Sequence, residues 1–367
     1  MIRVGIVGVG RQGSKYVAYF FQKPFENSSL CALCDIDSTR FEETDPLGAC
    51  AHYNDYEQMF DAGVIDAVII DTPHYLHPTI ALAAVKRGIH VLSDKPLGVD
   101  ALAIKKIQPH LLNSKLSFGV LFNQRAMPIF QKIKEVISQK QLGTLKRCVW
   151  QITDWYRPQK YYDIGEWRST WRGEGGGVLI NQCVHNIDMI CYLFGRPKKI
   201  LSSVGYGVYH RTEVDDSVIA NLYYDEGFCC TLISSTGETP GTNRLEISGT
   251  LGKMVFDEVG KLKFTKNEIP EDIFSITAES PRYSLKFGKP NTTYRVEECL
   301  AKVDSHWLTI DNFLRSVENG TQPCADYFDG LTCAETINAI YYSDWIGICV
   351  NLPVNEEDFF ELLKEKW

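Results

Sequence analysis

The chain has 367 residues, of which 44% are hydrophobic and 23% are charged, and its net charge is −8 at pH 7. This length predicts two domains, and the negative charge provides no attraction to nucleic acid or to an anionic membrane. No apolar run approaches the ~18 residues that a membrane-spanning helix needs. The N-terminus, MIRVGIVGVG, runs directly into a strand without a cleavable leader. We therefore expect a cytoplasmic protein without nucleic-acid or membrane partners.

Strands alternate with helices in the first third of the chain. Near-continuous apolar runs predict buried strands at 2–7, 30–34, 66–72, 89–93 and 116–122. The intervening segments are predicted to be helical: 14–22, 55–62, 78–87 and 102–112. This alternation predicts an α/β domain over residues 1–122, with a doubly wound parallel sheet of the Rossmann type.

From residue 123 onward the sequence is richer in strands. A helix at 128–138 precedes six β-rich runs: 145–152, 200–209, 217–224, 228–234, 244–248 and 253–256. Asp225-Glu226-Gly227 predicts a hairpin between two of them. Two further helices are predicted at 306–318 and 330–348, and the polar segment 270–293 is predicted to be a mobile loop. Residues 123–367 should therefore form an α+β domain with a mostly antiparallel sheet.

The chain has twelve cysteines, which we expect to be reduced thiols. Cys31 and Cys34 form a CxxC, but they lie on a predicted strand, where residues three apart point to opposite faces. No second CxxC is present to complete a zinc site. We therefore predict no metal site.

A glycine-rich loop, Gly8-Val9-Gly10-Arg11-Gln12-Gly13, joins the first strand to the first helix. This GxGxxG spacing permits a tight turn, a close approach to pyrophosphate and close packing of helix on strand. The free N–H groups of the following helix would face the phosphates. In this context the loop predicts a dinucleotide site that includes Arg11 and Gln12, rather than a glycine turn without a ligand.

Asp35 ends the second predicted strand, 22 residues after Gly13. A carboxylate there accepts hydrogen bonds from the adenosine ribose and repels a 2′-phosphate. Asp37 adds to that repulsion, whereas Arg40 would favour a phosphate. The pattern therefore favours NAD over NADP as the cofactor.

Polar residues also follow two other strands of the predicted parallel sheet. Asp94-Lys95-Pro96 follows the strand at 89–93, and ligands of doubly wound folds bind at this end of the strands. Lys95 is therefore a candidate catalytic residue beside the nicotinamide, with Asp94 as a cofactor contact. The preceding strand end supplies further cofactor-site candidates, among which His77 is expected to be structural: Thr72, Pro73, His74 and His77.

A second polar cluster lies on the predicted helix after Gly175-Gly176-Gly177. Asn181, His185 and Asp188 are spaced i, i+4 and i+7, which places them on one face. Polar groups on an apolar helix are costly to bury, which indicates a function. The alternatives are a hydrogen-bonded core histidine, or a metal site of His185 and Asp188 that lacks a third ligand.

Together these segments resemble the glucose–fructose oxidoreductase/inositol dehydrogenase/MocA family. The matching pieces span nearly the whole chain: GIVGVGRQG, CDID, TPHYLHP, SDKPLG, FNQR, EGGGVLINQCVHNID, DNFLRSVENG and YYSDWIGICVNLP. The resemblance implies a Rossmann domain followed by a domain with a large open sheet. It also implies oxidation or reduction of sugar and cyclic polyol carbinols with NAD(H) or NADP(H), by a homodimer or homotetramer.

The resemblance assigns roles to particular residues. Lys95 matches the active-site lysine of the family's Glu-Lys-Pro motif, here preceded by Asp94, and Asn123 of FNQR is a cofactor-site candidate. Asn181 and His185 match an Asp-x-x-x-His motif, so an amide replaces the usual aspartate. The Asn-Gln pair, Asn181 and Gln182, is typical of a recurrent subgroup, so we interpret it as a working variant. Either Lys95 or His185 can be the base, and Lys95 could serve only with a pKa lowered toward neutrality. We favour His185 as the proton carrier, with Lys95 as donor to the reacting oxygen.

Substrate contacts are predicted from an aromatic and basic stretch at 154–172. Aromatic faces stack on sugar C–H surfaces and arginines bind oxygens, although a structural cluster or subunit contact is the alternative. The candidates are Arg157, Tyr161, Trp167 and Arg168, with Arg125, Gln182 and the three catalytic candidates beside them. We expect an NAD-dependent dehydrogenase of a sugar, glycoside or cyclic polyol. A redox-neutral, NAD-dependent hydrolase or lyase and a dinucleotide-sensing regulator are the alternatives.

Overall fold

The computed structural model describes residues 1–164, 167–257, 261–279, 288–298 and 303–367. Within these ranges the chain forms two β-sheets with helices packed on them. The α/β fold class predicted from the sequence is confirmed.

The first sheet contains only parallel strands. Its strands are β1 (Ile2–Val7), β2 (Ser28–Cys34), β3 (Ala51–Tyr53), β4 (Ala67–Ile70), β5 (His90–Ser93) and β6 (Phe118–Val120). The helices between them are α1 (Gly13–Gln22), α2 (Thr39–Thr44), α3 (Tyr56–Asp61), α4 (His77–Lys86), α5 (Ala101–Lys105) and α6 (Gln108–Leu111). The strand order β3-β2-β1-β4-β5-β6 reverses between β1 and β4, which is where a doubly wound fold binds its ligand.

The second sheet is mostly antiparallel, with one parallel pairing between β7 and β10. Its strands are β7 (Leu145–Ile152), β8 (Lys199–Tyr206), β9 (Asp215–Tyr223), β10 (Cys229–Ser235), β11 (Asn243–Gly249), β12 (Gly252–Phe256), β13 (Lys261–Asn267), β14 (Thr292–Glu298) and β15 (Val350–Asn351). The helices of this half are α7 (Pro128–Ser138), α8 (Gln159–Tyr162), α9 (Val178–Asn181), α10 (Val184–Phe194), α11 (Glu271–Thr277), α12 (Ser305–Asn319), α13 (Tyr327–Ile346) and α14 (Glu356–Lys364). The predicted hairpin at Asp225–Gly227 joins β9 to β10.

Helix α12 connects the two halves, because it packs on the first sheet although it lies late in the chain. Its side chains Ile310 and Phe313 join one cluster with Ile6 and Leu92 of the first sheet. The opposite face of that sheet packs on α4 and α5, and its core continues into the helices of the second half. The halves therefore share buried apolar surface, which holds their facing edges in place.

Three predicted elements differ in detail. The helix predicted after the three glycines is split into α9 and α10 by Gln182 and Cys183, and the one predicted at 102–112 is split into α5 and α6. The segment predicted as a loop at 270–293 contains α11 and the start of β14, and residues 280–287 lie outside the described part. The eleven cysteines in the described ranges are free thiols. No helix in those ranges combines the length and apolarity needed to cross a bilayer.

Candidate active site

A cleft of about 1040 Å³ opens at the carboxyl ends of β1, β2, β4 and β5, and α9 and α10 border its other side. The predicted cofactor residues that line it are Gly8, Gly10, Arg11, Gln12, Asp35, Thr72, Pro73, His74, His77, Asp94 and Lys95. The predicted substrate residues that line it are Arg157, Tyr161, Trp167, Arg168, Asn181, Gln182 and His185. Two sets of residues predicted from separate parts of the chain therefore face one cavity.

The glycine loop has a backbone that only glycine tolerates at two positions. A Cβ on Gly8, whose φ is +90°, would lie 2.0 Å from the carbonyl oxygen of Asp71, and a Cβ on Gly13 would lie 2.1 Å from that of Gly8. A Cβ on Gly10 would meet nothing within 4 Å, so that position is open to a ligand. Helix α1 begins at Gly13 without a side-chain cap, and the N–H groups of Ser14, Lys15 and Tyr16 bond the carbonyl oxygens of Gly10 and Gln12. The loop therefore fits a pyrophosphate.

Asp35 holds this loop at the end of β2. Its Oδ2 accepts a hydrogen bond from the Val9 N–H at 2.7 Å, and its Oδ1 accepts one from the Asp37 N–H at 2.9 Å. Each carboxylate oxygen can accept a second hydrogen bond, so a ribose hydroxyl can still bind. Arg40 forms an exposed ion pair with Asp37 at 3.4 Å. Both arrangements fit NAD, because the cation that would attract a 2′-phosphate is already paired.

Two histidines after β4 bind backbone carbonyls. His74 lies with Nδ1 2.8 Å from the Glu174 carbonyl oxygen, which ties the first half to the segment before α9. The ring nitrogens of His77 lie 2.7 Å from the Pro96 oxygen and 2.6 Å from the Thr72 oxygen. His77 thus braces the ends of β4 and β5, which agrees with the structural role expected for it.

Lys95 extends from the end of β5 to the second half of the molecule. Its Nζ donates to the Asn181 carbonyl oxygen at 2.8 Å and lies 3.5 Å from Asn181 Oδ1. Burial lowers the pKa of Lys95, and the carboxylates of Asp94 and Glu174 oppose that shift. An ammonium has three N–H donors, so one remains for a ligand in the cleft.

Asn181, Tyr161 and the buried carboxylate of Glu174 form a hydrogen-bond network beside Lys95. Asn181 Nδ2 donates to Glu174 Oε1 and, at 3.0 Å, to the Tyr161 hydroxyl. That hydroxyl also accepts from Gln182 Nε2 at 2.9 Å and from Arg168 Nη1 at 3.3 Å. A hydroxyl oxygen has two acceptor lone pairs, so these three donors compete for it, and its own hydrogen is available to an acceptor in the cleft.

His185 faces the same cavity from α10. Its Nδ1 is buried and has no hydrogen-bond partner among the described residues. Burial lowers the pKa of His185 well below its usual range, and the charges of Lys95 and His306 add to this effect. His185 is therefore a neutral imidazole at neutral pH, able to accept a proton.

Two sequence-based predictions need correction. The expectation that Arg125 faces the cleft is wrong, because its buried guanidinium bonds Asp188 at 2.6 Å and Asp329 at 2.8 Å and does not line the cavity. Asp188 thus serves as the partner of Arg125. Asn123 also lies outside the lining, where its Nδ2 donates to Ser305 Oγ at 2.9 Å and lies 3.4 Å from Nδ1 of His306, which is in the lining.

Three residues near the site were not selected from the sequence. Asp71 follows β4 and lines the cleft, so the rule about strand ends would have identified it. Glu174 precedes the three glycines, where no spacing rule marks a carboxylate as functional. His306 lies at the start of α12, and only the packing of that helix on the first sheet brings it to the cleft.

The chain matches two domain models that define its class. Residues 2–121 match an oxidoreductase family with an NAD-binding Rossmann fold, and residues 130–255 match the GFO/IDH/MocA C-terminal domain. The protein is thus an NAD-binding oxidoreductase. It belongs to the GFO/IDH/MocA family, which confirms the resemblance found in the sequence.

Individual relatives are distant but span most of the chain. The myo-inositol 2-dehydrogenase of Thermotoga maritima is 22% identical over 90% of this chain and 92% of its own length. The 2,7-anhydro-N-acetylneuraminate hydratase of Escherichia coli is 23% identical over 94% of each chain. The WlbA dehydrogenase of Bordetella pertussis, solved with NADH and UDP-GlcNAcA, superposes with a TM-score of 0.79 at 22% identity, covering 96% of this chain and 99% of that one.

Proposed function

We propose that the protein is a cytoplasmic, NAD-dependent dehydrogenase that acts on a secondary alcohol of a sugar, glycoside or cyclic polyol. The observation that carries this proposal is the contact of Lys95 with Asn181 of α9, in the cleft that His185 of α10 also lines. Lys95 Nζ lies 2.8 Å from the Asn181 oxygen, in a cleft that also contains His185 and the glycine loop. An ammonium, an imidazole and a dinucleotide cradle in one cavity are the groups that carbinol oxidation needs.

The chemistry divides between the cofactor and the protein. Bound NAD supplies the acceptor for the hydride, with its two electrons, that leaves the carbinol carbon. Lys95 donates a hydrogen bond to the substrate oxygen, which stabilises the negative charge that develops as the O–H bond breaks. His185, held neutral by burial, accepts the hydroxyl proton. The carbon becomes a carbonyl, and the reverse reaction returns the proton from His185.

The aromatic and basic residues of the second half supply candidate substrate contacts. Arg168 lies over the Trp167 ring, 4.6 Å from its centre, and Arg157 lies 5.3 Å from the centre of the Tyr161 ring. Arg157 Nη1 donates to the Tyr156 carbonyl oxygen at 2.9 Å, and no carboxylate in the described ranges forms an ion pair with Arg157. Its other N–H groups can therefore donate to a substrate oxygen. Tyr161 has a free hydroxyl hydrogen, and Gln182 holds that hydroxyl in place. We propose these residues as the specificity determinants.

A substrate screen tests the proposal. Purified protein is incubated with NAD or NADP and with sugars, glycosides, uronates and inositols, and NAD(P)H formation is followed by absorbance. We expect steady NADH formation with at least one alcohol, at a higher kcat/KM with NAD than with NADP. Lys95→Met is the control and should form NADH at least ~10²-fold more slowly. Absence of turnover across the panel would contradict the proposal.

A redox-neutral reaction is the second candidate, because one relative that spans nearly the whole chain is named a hydratase. In such a reaction the substrate is oxidised transiently and the hydride returns before release. Product would then form from a glycoside or anhydrosugar, detected by mass spectrometry, without accumulation of NADH. A third possibility, a dinucleotide-sensing regulator, would bind NAD without requiring Lys95 or His185.

The exposed face of the second sheet supports a homodimer or homotetramer. Leu201 and Ile219 on β8 and β9 are 39% and 50% exposed, although neighbouring side chains of these strands are buried. Exposed aliphatic side chains on a sheet are typical of a surface that a second copy covers. Light scattering after size exclusion should give the mass of a dimer or tetramer, and a monomer at micromolar concentration would contradict this part of the proposal.

A further inference from the structure

The position that resembles the family's aspartate carries an amide in this chain, but a carboxylate lies next to it. Asn181 Nδ2 donates to Glu174 Oε1, and Glu174 is only 2% exposed. A carboxylate buried to this extent is costly unless charged or hydrogen-bonded groups surround it. Glu174 therefore places a buried carboxylate next to this amide, on the substrate side of Lys95.

The contacts of Glu174 are distributed between the loop and the site. Its Oε2 accepts from the Ser169 N–H at 2.8 Å, and Arg168 Nη1 lies 3.5 Å from its Oε1. Its remaining contact is the side chain of Asn181, whose Oδ1 in turn lies 3.5 Å from Lys95 Nζ. The amide thus connects the carboxylate to the ammonium, with its oxygen toward the cation and its nitrogen toward the anion.

The orientation of this amide follows from the charges at its two ends. A reversed amide would direct Nδ2 at the Lys95 ammonium and Oδ1 at the Glu174 carboxylate, and both contacts would be repulsive. Asp71 and Asp94 are the other acidic residues whose charges act on Lys95. Asp94 accepts from the Lys95 backbone N–H at 2.7 Å and lies 3.4 Å from the Tyr16 hydroxyl. Asp94 therefore belongs to the cofactor side of Lys95, opposite Asn181.

We propose that Glu174 is a positioning residue that replaces the family's aspartate, by supplying through Asn181 the negative charge that orients Lys95 toward the substrate. The inference rests on the proposed dehydrogenase function for its kinetic consequences. The electrostatic coupling of Glu174 to Lys95 can also be measured without turnover. In agreement with this role, Glu174 opposes the effect of burial on the pKa of Lys95.

A purely structural role is the competing explanation. Ser169 has a left-handed backbone, with φ of 62°, and Glu174 holds its N–H. If Glu174 only stabilised this turn, its removal would lower the melting temperature equally whether or not Lys95 carried a charge. Exchange of the carboxylate with the amide would then give no recovery of activity.

Carboxylate exchange is the direct test. Glu174→Gln removes the charge and should lower kcat on the order of tenfold, the effect typical of groups that orient a reacting side chain, with the Kd for NADH unchanged. Asn181→Asp alone places two carboxylates in contact, which should lower both the melting temperature and kcat. The double variant restores one carboxylate and one amide in reversed order, now with the charge next to Lys95. We expect its kcat and melting temperature to exceed those of both single variants.

A double-mutant cycle that combines Glu174→Gln with Lys95→Met, measured by melting temperature, gives a readout that needs no substrate. We call it the thermal cycle. If the carboxylate acts on the Lys95 charge, Glu174→Gln should lower the melting temperature less in the Lys95→Met background than in the wild type. An equal decrease in both backgrounds would overturn the proposal. So would a double exchange variant that recovers stability without recovering kcat. If the wild type oxidises no alcohol in the screen, the proposed function fails, and the thermal cycle still decides the inference.

Discussion

The two walls of the cleft are built differently. The wall from the first sheet is built on a glycine loop, the start of α1 and the ends of β2 and β4, and Asp35 holds the loop through the Val9 N–H. The wall from the second half is mainly side chains, in which Tyr161, Arg168, Glu174 and Asn181 hold one another. The first wall is suited to a constant ligand, the dinucleotide. We propose that the second wall contacts the substrate.

Lys95 is the connection between the walls, and its loss should have the largest effect. Lys95→Met should lower kcat by ~10²–10³-fold, the usual cost of removing one donor that stabilises a developing negative charge on oxygen. The affinity for NAD should stay within a factor of about two, because the glycine loop and Asp35 are unchanged. Steady-state kinetics and NADH fluorescence titration measure the two quantities. Retained turnover would remove Lys95 from the mechanism.

Substitution of Arg125 tests whether this residue stabilises the fold or contacts the substrate. Arg125→Met leaves Asp188 buried without its partner, so the free energy of unfolding should fall by ~3–5 kcal/mol. Denaturant titration measures this loss. Arg157→Met is the matched control, because Arg157 lines the cleft and has no ion-pair partner in the described ranges. It should raise KM for the substrate and leave stability nearly unchanged. A raised KM with unchanged stability in Arg125→Met would instead indicate that Arg125 contacts the substrate.

The glycine loop offers a pair of variants that separates binding from folding. Gly10→Ala has room for its Cβ in the protein, so the melting temperature should be retained. The added methyl occupies the space assigned to pyrophosphate, and overpacking of ~1–3 kcal/mol should weaken NADH about tenfold or more. Gly8→Ala, whose Cβ would overlap a backbone oxygen, should lower the melting temperature as well. Unchanged NADH affinity in Gly10→Ala would contradict the proposed position of the phosphates.

Cofactor preference should respond to the exposed pair Asp37 and Arg40. Asp37→Ser removes a negative charge and releases Arg40, so the ratio of kcat/KM for NADP to that for NAD should rise on the order of tenfold. Stability should hardly change, because exposed ion pairs contribute little. Asp37→Ser with Arg40→Ala is the control and should lose the gain. An unchanged ratio in Asp37→Ser would mean that neither residue reaches the adenosine ribose.

The pH dependence of kcat should reflect the burial of Lys95 and His185, which lowers the pKa of both groups. The pKa of Lys95 is lowered by burial, so the protonated donor, and with it the rate, is lost on the alkaline side below the pH typical of a lysine. The pKa of His185 is lowered as well, which moves the acid limb below the usual range of histidine. Lys95→Arg should remove the alkaline limb from whatever activity remains. An alkaline limb at the ordinary lysine value would contradict this account.

Sequence analysis selected residues that line both walls, but from different kinds of signal. A backbone turn that excludes Cβ atoms leaves glycines at fixed spacing, and a strand end leaves Asp35 or Lys95 after an apolar run. The residues around Asn181 are set by contacts across the fold. Glu174 and His306 have no local signature, and Arg125 resembled a ligand because its partners, Asp188 and Asp329, are far away in the sequence.

Transfer of hydrogen between substrate and cofactor is the central claim and can be measured directly. An alcohol that supports turnover in the screen is prepared with deuterium at the reacting carbon, and the reduced cofactor is isolated and analysed by mass spectrometry. We predict one deuterium in NADH formed by the wild type, a primary isotope effect on kcat/KM, and formation of labelled NADH by Lys95→Met at least ~10²-fold more slowly. Conversion of the alcohol without deuterium in the nicotinamide, or without any NADH, would contradict net hydride transfer to NAD in this cleft.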